Sequence, residues 1–252
     1  MTTSDDRLLD GRVSLRQPLA GYRAAIDPVL LAAAVPARPG ERVLELGCGA
    51  GAAALCLLVR LPNLSVTGLE LQPGLAALAR HNAEANGRSA EGAAPPAAGL
   101  TVLEGDVAAP PRTLGSGYDR VLLNPPFQLS AAEASPLASK DLANREASAP
   151  LTLWLELGLR RLRQGGTLTL IHRAERLSFI LAALEGAAGD LRVLPLWPQT
   201  GKPAKRILVQ ATRGSRAGTT LLPGLSLHAS AGQFTAEAEA VLRGRAQLSL
   251  DE

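Results

Sequence analysis

Arg42-Val43-Leu44-Glu45-Leu46-Gly47-Cys48-Gly49-Ala50-Gly51 is the stretch that decides the fold. Its first half is a short apolar run, as in a strand buried on both faces. Its second half sets glycines at alternate positions, so the backbone can turn sharply and come close to a ligand. Ala52 to Leu61 then reads as a helix, whose N-terminus presents free N–H groups to that ligand. Strand, glycine loop and helix open an α/β sheet of the kind that binds ligands beyond the carboxyl ends of its strands.

The alternation continues outward. Apolar strand candidates follow at Ser65 to Glu70, Leu100 to Leu103, Asp119 to Leu123, Thr167 to Ile171, Leu191 to Leu194 and Arg206 to Gln210. Helical stretches lie between them at Pro73 to Asn86, Leu151 to Arg163 and Ala174 to Ala188, with Gly165-Gly166 turning one helix into the next strand. This predicts an α/β chain with helices on both sheet faces. Residues 1–36 read as an N-terminal cap segment, its helix starting with Asp27 as N-cap and Pro28 in the first turn. Residues 37–252 form the main domain. Gly87 to Gly99, rich in Ala, Gly and Pro, reads as a flexible surface loop, and Gln128 to Pro150 as a candidate substrate lid.

Composition narrows the class. Of 252 residues, 46% are hydrophobic but only 3% aromatic, so the core must be built from Leu, Val and Ala. No apolar run approaches the roughly 20 residues of a membrane span. The polar, acidic start Met1-Thr2-Thr3-Ser4-Asp5-Asp6 is unlike a secretory signal, and the expected location is cytoplasmic. Cys48 and Cys56 are the two cysteines and show neither a CxxC nor a zinc spacing, so free thiols and no metal are expected. A net charge of +3 is compatible with a nucleic-acid partner without demanding one.

Three carboxylates end successive strands. Glu45 precedes the glycines, where it would oppose a pyrophosphate but suits an ammonium group; this argues against the dinucleotide reading that the glycine spacing also permits. Glu70 can accept from both hydroxyls of a ribose, a feature common to both readings. Asp106, in Glu104-Gly105-Asp106, can accept from an adenine amine. Each acid alone could be a solvated strand end or a cap; the three together on one sheet edge point to a nucleoside-bearing cofactor. Cys48 reads as a small loop residue rather than a nucleophile, since no activating group is nearby in sequence.

Asn124-Pro125-Pro126-Phe127 closes the fourth strand. The prolines stiffen the turn, so the Asn124 amide oxygen and the Pro125 carbonyl can accept both hydrogens of one amino group. An exocyclic amine is a poor nucleophile because its lone pair is delocalised. Acceptors out of the ring plane favour a pyramidal nitrogen and free that pair for attack, while Phe127 offers a face for a flipped base. The alternative is a structural turn with Phe127 in the core.

The chain resembles the bacterial tRNA1(Val) adenine-37 N6-methyltransferase family, within the methyltransferases with a small domain. The resemblance is carried by Gln17-Pro18-Leu19-Ala20-Gly21-Tyr22-Arg23 with Asp27, by Glu45 to Gly51, Glu70, Asp106 and Asn124 to Phe127. More distally it is carried by Leu170-Ile171-His172-Arg173, Gly201 to Arg206 and Gly232 to Glu237. It implies a Rossmann-like class I methyltransferase with a doubly wound, seven-stranded, mostly parallel sheet and an antiparallel last strand. It also implies S-adenosylmethionine as cofactor, held by Glu45, Gly47, Cys48, Gly49, Gly51, Glu70, Leu71, Asp106, Val107 and Asn124, and catalysis by Asn124, Pro125 and Phe127. The implied partner is an RNA substrate, most simply a tRNA, with no metal and no membrane, and a monomer or homodimer.

For RNA, Lys202, Lys205 and Arg206 lie in a Gly/Pro loop suited to phosphates, a solvated loop charge being the alternative. Tyr22 and Arg23 are placed to close over cofactor or base. Rival targets are guanine N2 of ribosomal RNA, adenine of DNA and glutamine of a protein. A nucleic-acid-binding protein without chemistry is a further alternative, which the intact Asn124 and glycine loop argue against.

Overall fold

A computed structural model describes residues 2–20, 23–92, 97–126, 149–230 and 232–250. Tyr22, Phe127 and residues 128–148 of the candidate lid lie outside the described residues. The chain opens on an antiparallel hairpin, β1 (Thr3–Leu8) and β2 (Val13–Pro18), followed by α1 (Asp27–Ala34). The alternating part comprises β3 (Arg42–Leu46), α2 (Ala52–Arg60), β4 (Ser65–Glu70), α3 (Pro73–Ala85), β5 (Gly99–Glu104) and β6 (Tyr118–Leu123). It continues through α4 (Leu151–Arg161), β7 (Leu162–Arg173), α5 (Leu177–Leu184), β8 (Ala188–Gln199) and β9 (Arg206–Arg213). β10 (Thr219–Leu221), β11 (Leu225–Ser230), β12 (Gln233–Phe234) and α6 (Ala236–Leu242) follow.

The expected seven strands run in the order β5-β4-β3-β6-β7-β9-β8, with β9 antiparallel to both neighbours. β3 pairs with β4 on one side and β6 on the other, which makes the gap between β3 and β6 the switch point where such sheets bind ligands. Leu46 stands opposite Leu123. Gly47 and Asn124 are therefore the first residues beyond two adjacent strand ends, and this register puts the glycine loop beside the Asn-Pro-Pro turn. The sheet then extends further than expected: β10 and β11 add parallel to β8, and β12 pairs back on β11.

Both sheet faces are covered. Leu30 and Leu31 of α1, Leu55 and Leu58 of α2 and Ala79 of α3 pack with Val43, Leu100 and Leu122 on one face. Trp154 and Leu155 of α4 and Ile180 and Leu184 of α5 pack with Leu44, Leu46, Val121 and Leu168 on the other. With few aromatics available, close aliphatic packing does the work.

Four local expectations are corrected. The cap segment contains a hairpin as well as a helix. α1 does begin at Asp27, but with no side-chain cap; the Asp27 carboxylate instead accepts from Arg206 Nε at 3.1 Å. α4 stops at Arg161, and Gly165 and Gly166 fall inside β7, where the pairing with β6 shifts register. The described part of the Gly87 to Gly99 stretch docks on the sheet: Ala90 N donates to Leu100 O and Leu100 N to Arg88 O. That covers the outer side of β5, an edge that would otherwise expose unpaired backbone groups.

Candidate active site

The glycine loop is shaped by backbone bonds and by what presses on it. Gly47 N and Cys48 N both donate to Leu69 O, at 2.8 and 3.0 Å. Gly47, Gly49 and Gly51 have φ of 68, 56 and 87°, a region costly for other residues. At Gly47 there is a second reason: an added Cβ would stand 2.7 Å from the Trp154 ring. Trp154 Nε1 donates to Ala149 O, so the ring is held in place under the loop. Gly47→Ala is expected to cost about 1–3 kcal/mol by overpacking, read as a lowered Tm; an unchanged Tm would mean that Trp154 yields. Trp154 was not picked out from sequence, where an aromatic in a helix carries no sign of what it covers.

Glu45 is 3% exposed, and its Oε2 accepts from Ala54 N at 2.9 Å, at the start of α2. Burial pushes its pKa up to about 8, opposed by the Ala54 N–H and reinforced by the charge of Glu70. A carboxyl raised by desolvation in a cavity is suited to a cation that would restore its charge. Glu70 is also buried; its two oxygens accept from Gly49 N and Gln72 N, both at 2.8 Å, and burial is again the main cause of a raised pKa. Each oxygen keeps a lone pair for a ligand hydroxyl. Cys48 turns its side chain into the protein, where a Cβ on Gly68 would lie 2.7 Å from Sγ. Burial raises this thiol well above its ordinary range, so it packs rather than reacts.

A cavity runs between these groups and the N-terminal segment. Its lining includes Glu45, Gly47, Cys48 and Asn124 with Gln17, Pro18, Ala24 and Pro28. Gln17, 3% exposed, is locked by Nε2 to Asp6 Oδ2 at 2.7 Å and by Oε1 from Ala24 N at 2.8 Å. The N-terminal hairpin thus walls the site, and sequence reading had not assigned it that part. Asp106 forms a turn, Oδ1 accepting from Ala108 N at 2.9 Å, beside the buried Val107. Leu71 is 37% exposed next to Glu70. The residues fit an S-adenosylmethionine molecule by the chemistry of the donor set: a desolvated carboxyl for its ammonium, a second for ribose hydroxyls, and glycines where the backbone must lie close.

The basic residues divide. Arg23 is committed to the hairpin, bonding Asp6, Ser4 Oγ and Pro18 O, and Arg206 is tied to Asp27. Lys202 and Lys205 are exposed. Arg206 opens β9 opposite Arg173, the last residue of β7, so this loop lies on the same carboxyl edge as Asn124. Sequence reading missed Arg176, which with Arg173 and Arg206 surrounds the buried His172; burial first, then these charges, lower its pKa to about 4. His172 is neutral at physiological pH.

Comparison with known proteins agrees with this geometry. The family model for the methyltransferase small domain matches residues 25–178. A tRNA1(Val) (adenine(37)-N6)-methyltransferase of Yersinia pestis (strain Pestoides F) is 29% identical over 223 residues, covering 85% of this chain and 83% of its own. Its counterpart in Yersinia pseudotuberculosis serotype O:3 (strain YPIII) is also 29% identical, covering 85% of this chain and 82% of its own. The crystal structure of a predicted O-methyltransferase from Agrobacterium tumefaciens superposes with a TM-score of 0.71 at 27% identity, over 90% of this chain and all of that one. A SAM-dependent O-methyltransferase of Thermotoga maritima shares the fold, with a TM-score of 0.54 at 15% identity over 78% of this chain and 68% of its own. With the match spanning more than half of its length, the chain belongs to the methyltransferase small domain family and is an S-adenosylmethionine-dependent methyltransferase.

Proposed function

We propose that the enzyme methylates N6 of an adenine in tRNA, and that it works in the cytoplasm as one methyltransferase domain (37–252) behind a cap (1–36). The observation that carries this reading is the register that sets Asn124-Pro125-Pro126 directly beside the glycine loop. The names of the relatives described above support the choice of substrate. S-adenosylmethionine supplies an electrophilic methyl group on a sulfonium. Glu45 holds its ammonium, Glu70 the ribose hydroxyls and Asp106 the adenine amine, with Leu71 and Val107 flanking the adenine. Gly47, Cys48, Gly49 and Gly51 give it room. The Asn124 amide oxygen and the Pro125 carbonyl accept from the target amine and hold the nitrogen pyramidal, while Phe127 stacks on the flipped base.

No strong base is needed, because an amine can lose its proton after the methyl has arrived. An oxygen acceptor would need one earlier, and the single carboxyl lining the cavity among the described residues, Glu45, is given to the cofactor's ammonium in this reading. Nucleoside mass spectrometry of tRNA from a strain lacking the gene should show N6-methyladenosine missing from one tRNA; an unaltered nucleoside profile would reject the reading.

Lys202 and Lys205 are the phosphate contacts, while Arg206 secures their loop to α1 and Arg23, next to Tyr22, secures the hairpin. Lys202→Gln/Lys205→Gln should raise the KM for RNA and flatten its salt dependence by about two ions' worth, with kcat nearly unchanged because the loss is uniform binding. An unchanged salt slope would make these lysines solvated loop charges.

A further inference from the structure

The C-terminal strands place rare side chains in an unusual position. β11 runs parallel to β8 with Leu225 opposite Leu196 and His228 opposite Gln199. β11 and β12 therefore overhang the carboxyl edge, the edge that carries Asn124. The chain holds only two Trp, two Tyr and three Phe. Among the described residues, Tyr118 and Trp154 are buried, and the aromatics that reach the surface are Phe179, Trp197 and Phe234, at 37% exposure for Phe179 and 38% for Phe234. Phe179 lies in the first turn of α5, just past the end of β7. Trp197 lies near the carboxyl end of β8, and Phe234 on the overhang itself.

These faces are fixed rather than loose. Phe234 stacks on His228 with ring centroids 4.7 Å apart and planes 22° apart. His228 Nδ1 lies 3.1 Å from Pro198 O. Thr235 Oγ1 donates to Ser226 O and accepts from Ala238 N, which clamps the turn after Phe234 to the start of α6. Trp197 Nε1 donates to Pro223 O, and Gly224 is where it is because a Cβ there would stand 2.5 Å from that nitrogen. Held rings lose little freedom on binding.

The surface is also connected to the site. Phe234 lines a groove with Leu8, Ile26 and Leu242 whose wall includes Gln17 and Ala24, two residues that also line the cavity with Glu45 and Asn124. Across the sheet, β11 stands four strand spacings from β6, about 19 Å at the usual ~4.8 Å per strand, a span of a few nucleotides. Trp197 borders an open cleft with Lys202 and Thr200. The groove itself is not repulsive to phosphate, since Asp6, Asp10 and Glu239 are each paired with an arginine.

We propose that the overhang is a docking surface for the single-stranded RNA flanking the target base, with Phe234 on His228 and Trp197 as stacking faces and Lys202, which borders the same cleft as Trp197, as a phosphate contact. This rests on the RNA reading above and adds where the strand leaves the active site. Aromatic faces beside a cation bind unpaired bases with little regard to sequence. The same faces could serve a protein partner, and the test separates the two.

The test measures fluorescence anisotropy of a fluorescein-labelled RNA hairpin with an adenine in its loop, against full-length enzyme. Phe234→Ala should bind about tenfold more weakly, the scale of one lost stack, with an unchanged salt slope and Tm. Phe234→Trp should restore affinity, since it restores the face. Normal affinity in Phe234→Ala, or a Phe234→Trp variant as weak as Phe234→Ala, would overturn the docking surface. If the wild type methylates the hairpin adenine while Phe234→Ala binds normally, the surface fails alone and a protein partner becomes the better occupant. A wild type that neither binds nor methylates RNA would overturn both readings.

Discussion

Asn124→Ala should lose at least ~100-fold in the rate of methyl transfer, the scale of one preorganised contact to a transition state. Its fold and its S-adenosylmethionine affinity should be nearly unchanged. Asn124 follows β6, whose last residue pairs with the last residue of β3, so its backbone is placed by the sheet. The amide oxygen is asked to accept from a nitrogen only as that nitrogen turns pyramidal, and such an interaction lowers kcat rather than raising KM. Single-turnover transfer to a tRNA transcript with the cofactor prebound measures this. Near-normal transfer by a folded Asn124→Ala enzyme would reduce the tetrapeptide to a turn and remove the amino-methyltransferase reading with it.

Glu45 carries the second large effect, and pH is the handle on it. Burial pushes its carboxyl up to about 8, from an ordinary value of 4.5. The folded pKa is the higher one, so the neutral form's contribution to stability is complete below about pH 4.5 and is lost as pH rises through about 8. An ammonium beside it favours the ionised form, so cofactor binding near neutral pH must release a proton. Affinity should then rise about tenfold per pH unit towards pH 8 and level off above it. Glu45→Gln keeps an oxygen for Ala54 N but cannot ionise. It should bind about 1.5–3 kcal/mol more weakly, as for a lost hydrogen bond to a charged group, and show no slope. Titration calorimetry in buffers of different ionisation enthalpy reads the proton directly. A Glu45→Gln variant that binds the cofactor as tightly as the wild type at pH 8 would take Glu45 away from the ammonium.

The parts of the site legible in the sequence share a physical cause. Buried parallel strands are mostly apolar, so their ends are conspicuous, and a carboxylate at an end or a glycine loop just past it is placed by counting. Glu45, the glycines, Glu70 and Asn124 were all readable in this way. The hairpin β1–β2 was not, because Thr3-Ser4-Asp5-Asp6-Arg7-Leu8 is too polar to read as a strand. It is paired only with β2 and left half exposed, although Asp10-Gly11 was a turn signal that could have exposed it. The β11–β12 overhang escaped because both strands are short and β11 pairs with β8, not with the strand before it in sequence. The partnership of Arg206 with Asp27 spans most of the chain, and local spacing could not have revealed that the arginine was already occupied.

The acceptor atom separates N6 of adenine from every rival target, and one measurement identifies it. Purified enzyme is incubated with methyl-labelled S-adenosylmethionine and a tRNA transcript, and the RNA is digested to nucleosides and resolved by mass spectrometry. The label should appear in N6-methyladenosine, at one adenine, and vanish with Asn124→Ala. Label on a ribose oxygen, on guanine N2 or on no nucleoside at all would contradict it.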